Sequence, residues 1–161
     1  MIQAANHSSS ETITPFLWFN DQAEEAMQLY TSLFKHSRIV AVNRAGDRVM
    51  SGTFVMDGRT YHAFNGGPHF QFNEAISLMI TCDTQEEIDR YWNALTADGG
   101  QESRCGWLKD RFGLSWQVVP RIIEKHLNDK DQGKTNRVMK AVMGMVKLDI
   151  AEIEKAYKEA A

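Results

Sequence analysis

Ile13-Thr14-Pro15-Phe16-Leu17-Trp18-Phe19, followed by Asn20-Asp21-Gln22-Ala23-Glu24-Glu25-Ala26, decides the fold because it occurs twice. The second copy is Ala75-Ile76-Ser77-Leu78-Met79-Ile80-Thr81-Cys82, followed by Asp83-Thr84-Gln85-Glu86-Glu87-Ile88. An offset of 62 carries Asp21 onto Asp83, Glu24-Glu25 onto Glu86-Glu87, Tyr30 onto Trp92 and Leu33 onto Leu95. A match that runs through an apolar stretch and the segment after it marks a repeated strand-plus-helix unit. Asp21 with Glu24, and Thr84 with Glu87, have the spacing of a capping box, which satisfies the unpaired amides of a helix start. Ala23, Ala26, Met27, Tyr30, Leu33 and Phe34 then recur at helical steps, as do Ile88, Tyr91, Trp92 and Leu95, and Gly99-Gly100 ends the second helix. These aromatics read as core packing.

Short strand-like segments follow each helix. In the first copy they are Arg38 to Asn43, Val49 to Met56 and Thr60 to Asn65, with a turn at Asp57-Gly58. In the second they are Glu102 to Cys105, Trp107 to Lys109 and Leu114 to Val119, with a turn through Asp110 to Gly113. Each copy therefore reads β-α-β-β-β, an α+β arrangement of two modules forming cupped mixed sheets. The expected organisation is a flexible segment 1–11, a first module 12–65, a linker 66–74 whose aromatics fold back onto the sheet, a second module 75–120, and a helical extension 121–161 of the same domain. In the extension Arg121 to Leu127 reads as a short helix and Asn128 to Lys134 as a loop. A helical stretch then runs to Tyr157, weakened at Gly144. Met139, Met143 and Met145 on it suit irregular gaps or a partner surface.

Composition narrows the function class. The 161 residues are 43% hydrophobic and 24% charged with a net charge of -3, as in a globular protein and unlike a typical nucleic-acid binder. No apolar run is long enough for a membrane span, and the polar start, Met1 to Glu11, has no signal-peptide pattern, so a cytoplasmic protein is expected. Cys82 and Cys105 form no CxxC and read as free thiols.

Two such modules in a chain of this length resemble the vicinal oxygen chelate superfamily, which includes glyoxalase I, extradiol dioxygenases and the bleomycin- and fosfomycin-resistance proteins. Within it the chain is similar to the PhnB-like branch, labelled demethylubiquinone methyltransferase-like. The resemblance is carried by the block 13–19, Phe64-Asn65-Gly66-Gly67-Pro68, and Phe72 to Leu78. It continues through Gln85 to Trp92 and the specific run Cys105-Gly106-Trp107-Leu108-Lys109-Asp110-Arg111-Phe112-Gly113-Leu114-Ser115-Trp116-Gln117-Val118-Val119-Pro120.

The resemblance implies cupped sheets around a cavity and, in metal-dependent members, a ligand on the first and last strand of each module. Those places here are Thr14 or Pro15, Ala63, Ser77 and Gln117, which supply neither imidazole nor carboxylate, so no metal and no other cofactor is expected. His62 and His69 are the alternative donors; alternation sends His62 away from the cavity if Ala63 points in. His7, His36 and His126 read as surface residues. With Ala63 and Gln117 inward, alternation brings Tyr61, Asn65, Ser77, Met79, Ser115 and Gln117 to the cavity; Phe16 and Trp18 join them if Thr14 faces in, and Trp107 stands as a wall. That lining suits a small, partly apolar or aromatic ligand.

None of the 11 glycines forms the GxG of a nucleotide-binding loop, and no acid–base pair or nucleophile stands out; Glu74, Lys109 and Asp110 read as solvated charges at strand ends. The favoured expectation is a metal-free small-molecule-binding protein, a homodimer by resemblance, without nucleic-acid or membrane partners. The alternative is an enzyme, either methyltransferase-like as the branch label says or a metal-dependent glyoxalase or dioxygenase type.

Overall fold

The computed structural model describes residues 12–159, which divide after Phe70 into two compact units. Segment 1–11, with His7, lies outside the described residues. The first unit comprises β1 (Phe16–Phe19), α1 (Ala23–Leu33), β2 (Arg38–Ala45), β3 (Arg48–Met56) and β4 (Arg59–Asn65). Its mixed sheet has the order β1-β4-β3-β2, with β1 parallel to β4 and the other pairs antiparallel. The second unit repeats the pattern with β5 (Leu78–Cys82), α2 (Gln85–Thr96), β6 (Gln101–Glu102), β7 (Trp107–Lys109) and β8 (Ser115–Pro120) in the order β5-β8-β7-β6.

Small residues let α1 lie close on its sheet. Ala23, Ala26, Met27 and Tyr30 are buried against Leu17, Phe19, Phe54, Tyr61 and Ala63. Gly52 makes room for Met27, because a Cβ there would stand 2.4 Å from the Met27 Cε. Gly66 does the same for Trp18, whose ring would meet a Cβ at 2.1 Å. Trp18 in turn donates Nε1 to the Gly67 carbonyl at 2.9 Å and meets Phe70 edge-on, so the linker does fold back onto this sheet.

The start of α1 differs from the expected capping box. Glu24 pairs with Arg44 on β2, and the helix takes its cap from the end of β4. Asn65 Oδ1 accepts from the Ala23 amide at 2.8 Å, while Asn65 Nδ2 donates to the Val49 carbonyl at 3.0 Å. A side chain from a distant strand thus does the work that local spacing assigns to Asp21. In α2 the expected Thr84 cap forms, with Glu87 N donating to Thr84 Oγ1 at 3.2 Å. The Glu87 carboxylate accepts from the Asp83 amide at 2.8 Å, one residue earlier than in a regular box.

Two boundaries move for backbone reasons. The strand expected over Glu102 to Cys105 stops at Glu102, because Cys105 and Gly106 take up positive φ of 59° and 80° and Trp107 N donates to Arg104 O at 3.1 Å. That is the geometry of a two-residue hairpin turn of the primed kind. The short helix expected before the loop is α3 (Ile122–Leu127), and the helical stretch expected to reach Tyr157 is two helices, α4 (Gln132–Gly144) and α5 (Ile150–Lys158). Asp131 caps α4 through the Gly133 and Lys134 amides, and Asp149 caps α5 through Glu152 N. Ile123, Val138, Val142, Leu148 and Ile153 form a core of their own. His126, expected at the surface, is buried in it beside Tyr157 and Glu154.

Removing the Asn65 amide leaves a buried donor and a buried acceptor unpaired. Asn65→Ala is expected to lower the unfolding free energy by about 2–3 kcal/mol in urea denaturation. A loss below about 0.5 kcal/mol would mean the helix start does not depend on β4.

Candidate functional site

The pairing of β1 with β4 fixes which side chains escape the helix. Phe16 lies opposite His62 and Trp18 opposite Phe64; Leu17 and Phe19 lie opposite Ala63 and Asn65. The second set faces α1, so Tyr61, Ala63 and Asn65 sit beneath that helix and not on the face assigned to them from the sequence. Tyr61 stacks on Phe54 with ring centroids 5.3 Å apart, and Asn65 caps the helix. The correction has a simple cause: side chains alternate with period two, so a register displaced by one residue exchanges the two faces. Both faces of β4 carry aromatics, which leaves the hydrophobic pattern ambiguous, whereas only Ala63 is small enough to lie under Ala23 and Ala26.

The helix-free face of the first sheet therefore carries Phe16, Trp18, His62 and Phe64. Phe16 and Trp18 share a face, as alternation with Thr14 inward requires; His62 and Phe64, not among the expected site residues, lie on the same face. Phe16 meets His62 and Phe64 at 6.3 and 6.0 Å between centroids, and His62 Nδ1 is 3.1 Å from Thr53 Oγ1.

In the second unit Met79 pairs with Gln117, Trp107 with Gln117, and Lys109 with Ser115, all on the face away from α2. Gln117 Nε2 donates to Ser77 Oγ at 2.8 Å. Next to them lies a groove of about 560 Å³ whose lining includes Trp107, Lys109, Ser115, Glu74, Cys105 and Met143. Of the residues expected to bind a ligand, the groove brings together Trp107 and Ser115. Ser77, Met79 and Gln117 share their sheet face but do not line it, and Phe16, Trp18, Tyr61 and Asn65 belong to the first unit.

Electrostatics in the groove are largely settled within it. Lys109 Nζ stands 2.6 Å from Glu74 Oε1, and that hydrogen bond holds the Glu74 carboxyl below its usual range. Glu102 accepts from Trp92 Nε1 at 2.7 Å. Asp110, expected to be solvated, is 3% exposed and accepts from Phe112 N, Leu114 N and Trp116 Nε1. It thereby shapes the turn that sets Ser115 opposite Lys109. Ser115 is the exception: it is 1% exposed and its Oγ has no hydrogen-bond partner among the described residues.

Three of the positions expected to correspond to metal ligands, Ala63, Ser77 and Gln117, supply neither imidazole nor carboxylate. Ala63 has no donor and faces α1. Ser77 and Gln117 bind each other, and a hydroxyl and an amide hold first-row metals poorly. His62, one residue from Ala63, contributes a lone imidazole beside Thr53, and His69 is exposed. Among the described residues no group of three or more His, Cys, Asp or Glu is placed to hold a metal ion.

The family model for 3-demethylubiquinone-9 3-methyltransferase matches residues 11–119. The chain belongs to this family. Its PhnB-like character is supported by a solved structure of that description. The PhnB protein of Bacillus cereus is 36% identical with a TM-score of 0.64, over 68% of this chain and 99% of that one. Protein PA1353 of Pseudomonas aeruginosa is 24% identical with a TM-score of 0.57, over 67% and 96% of the two chains, a likeness of fold alone. A glyoxalase/bleomycin resistance protein of Albidiferax ferrireducens is 18% identical with a TM-score of 0.47, over 67% and 96%. No match was found among curated proteins. The family region stops at Val119, so α3, α4 and α5 lie beyond it. Met143 of the groove belongs to that extension. Three methionines near the chain's end were the sequence's signal for it.

The two thiols differ in reach. Cys82 is fully buried, and desolvation, helped by the nearby Glu87 carboxylate, pushes its thiol up to about 11. Cys105 is half-buried at the lip of the groove. Ellman's reagent is expected to modify one thiol per native chain, none in Cys105→Ser, and both wild-type thiols after denaturation. Rapid labelling of native Cys105→Ser would contradict this assignment.

Proposed function

We propose that this chain is a small-molecule-binding member of its family that uses the groove of the second unit and does without the superfamily's usual metal site. The observation that carries the proposal is the Ser115 hydroxyl. A buried polar group without a partner costs about 1–3 kcal/mol, and proteins rarely keep one without a use. Here it lies in a groove whose other features are an indole, two sulfurs and an ion pair, a setting for a partly apolar or aromatic ligand with one hydrogen-bonding group.

Binding is favoured over methyl transfer by the state of the charged groups. Lys109 is held by Glu74 and Glu102 by Trp92 Nε1, so neither is poised to take a proton from a substrate. The family description alone speaks for the transfer reaction. A homodimeric, cytoplasmic protein is part of the same proposal. Phe16, Phe70 and Met79 are each more than 60% exposed on or beside the sheets, apolar surface that a second copy would cover, and both cysteines are free thiols.

Ser115→Ala tests the proposal because its effects on stability and on binding go opposite ways. Without ligand the variant is expected to unfold at the same denaturant concentration as wild type or a higher one, since no hydrogen bond is lost. With 1,4-naphthoquinone and 2-naphthoate as probes, wild type is expected to be stabilised and the variant to bind about three- to tenfold more weakly. A variant that is less stable by about 2 kcal/mol yet binds equally well would overturn the role of Ser115.

A further inference from the structure

We propose that the groove selects a flat aromatic acid, and that Met143, supplied by α4 from beyond the family region, is the residue that makes the selection. The inference rests on the groove's being a ligand site, as proposed above, and adds what the ligand is and which part of the chain chooses it.

Met143 is 60% exposed, yet its position is fixed. The segment that follows α4 is hydrogen-bonded to the hairpin turn at the groove's lip: Cys105 N donates to Met145 O and Gly106 N to Val146 O, both at 2.8 Å. Gly106 is required there, because a Cβ would lie 2.7 Å from Val118 O and 2.9 Å from Leu148 Cδ1. Gln85 on α2 holds the same segment from the other side, donating to Leu148 O at 3.2 Å and accepting from Ile150 N at 2.9 Å. Lys147 adds an ion pair to Asp89 at 2.7 Å. These contacts carry Met143 to Cys105, where the thiol donates to the thioether at 3.6 Å.

The chemistry of the ligand follows from what faces it. Two polarizable sulfurs on one side and the Trp107 indole in the same groove favour the edge and face of an aromatic ring over a saturated one. Ser115 offers a hydroxyl to a polar substituent on the ring. Arg104 lines the rim and makes no ion pair among the described residues, whereas Lys109 is neutralised by Glu74. Glu102, the fourth charged residue of the lining, accepts from Trp92 Nε1, so the cation left without an ion pair among the described residues is the Arg104 guanidinium, which can hold a carboxylate through two parallel hydrogen bonds.

Titration calorimetry on the full chain tests this with three related probes: 6-hydroxy-2-naphthoate, 2-naphthol without the acid, and decahydro-2-naphthoate without the aromatic ring. Wild type is expected to prefer 6-hydroxy-2-naphthoate over both. Met143→Ala is expected to weaken its binding about five- to tenfold without moving the unfolding midpoint, and Met143→Leu, which keeps the bulk but not the sulfur, by less. Equal binding of 6-hydroxy-2-naphthoate by wild type and Met143→Ala, or equal binding of 2-naphthol and the acid, overturns the inference. If Ser115→Ala still weakens the probes in that case, the groove remains the ligand site; if it does not, both readings fall.

Discussion

Each unit depends on the pairing of its first strand with its last. In the first unit Phe16 meets His62, and in the second Leu78 meets Trp116; everything a helix covers, and everything it leaves uncovered, follows from these registers. The parity differs between the copies relative to the helix repeat. Three residues separate β1 from α1 and two separate β5 from α2, so an offset of 62 aligns the helices while the equivalent strand positions stand 63 apart. On that strand alignment Phe16 corresponds to Met79, and their partners His62 and Gln117 correspond to each other. His62, and not Ala63, therefore occupies the first unit's counterpart of Gln117.

Much of this architecture is legible in the sequence, because the determinants are local. Tyr30 and Trp92 are buried at matching places in their helices, Asp57-Gly58 forms its turn, and Thr84 caps α2. What is not legible is set by partners far along the chain. Asn65 reads as an inward polar residue until α1 lies above it, and Asp110 reads as a solvated charge until Trp116 returns beside it. The face of β4 was misassigned because Tyr61, His62 and Phe64 give both faces an aromatic, so periodicity alone cannot choose between them.

The extension shows the same limit from another direction. Its helices are evident from spacing, but the break after Gly144 and the docking of residues 145–148 on the Cys105-Gly106 turn are tertiary facts. They bring a methionine from outside the family region to a groove formed by residues within it. A shared fold can thus keep its sheets while the lining of a groove changes with the segment that follows them. The hairpin turn is well suited to receive such an addition, since its outward amides need acceptors and the backbone of 145–146 supplies them.

On the proposed function, a small organic molecule and not a metal ion occupies this protein when it functions. Native mass spectrometry of the full chain, purified without chelator and without added metal, tests it most directly. A stoichiometric organic mass is expected on wild type, with lower occupancy on Ser115→Ala. A stoichiometric zinc, nickel, iron or manganese ion retained by the folded protein would contradict it, and would send attention to His62 on the helix-free face of the first sheet.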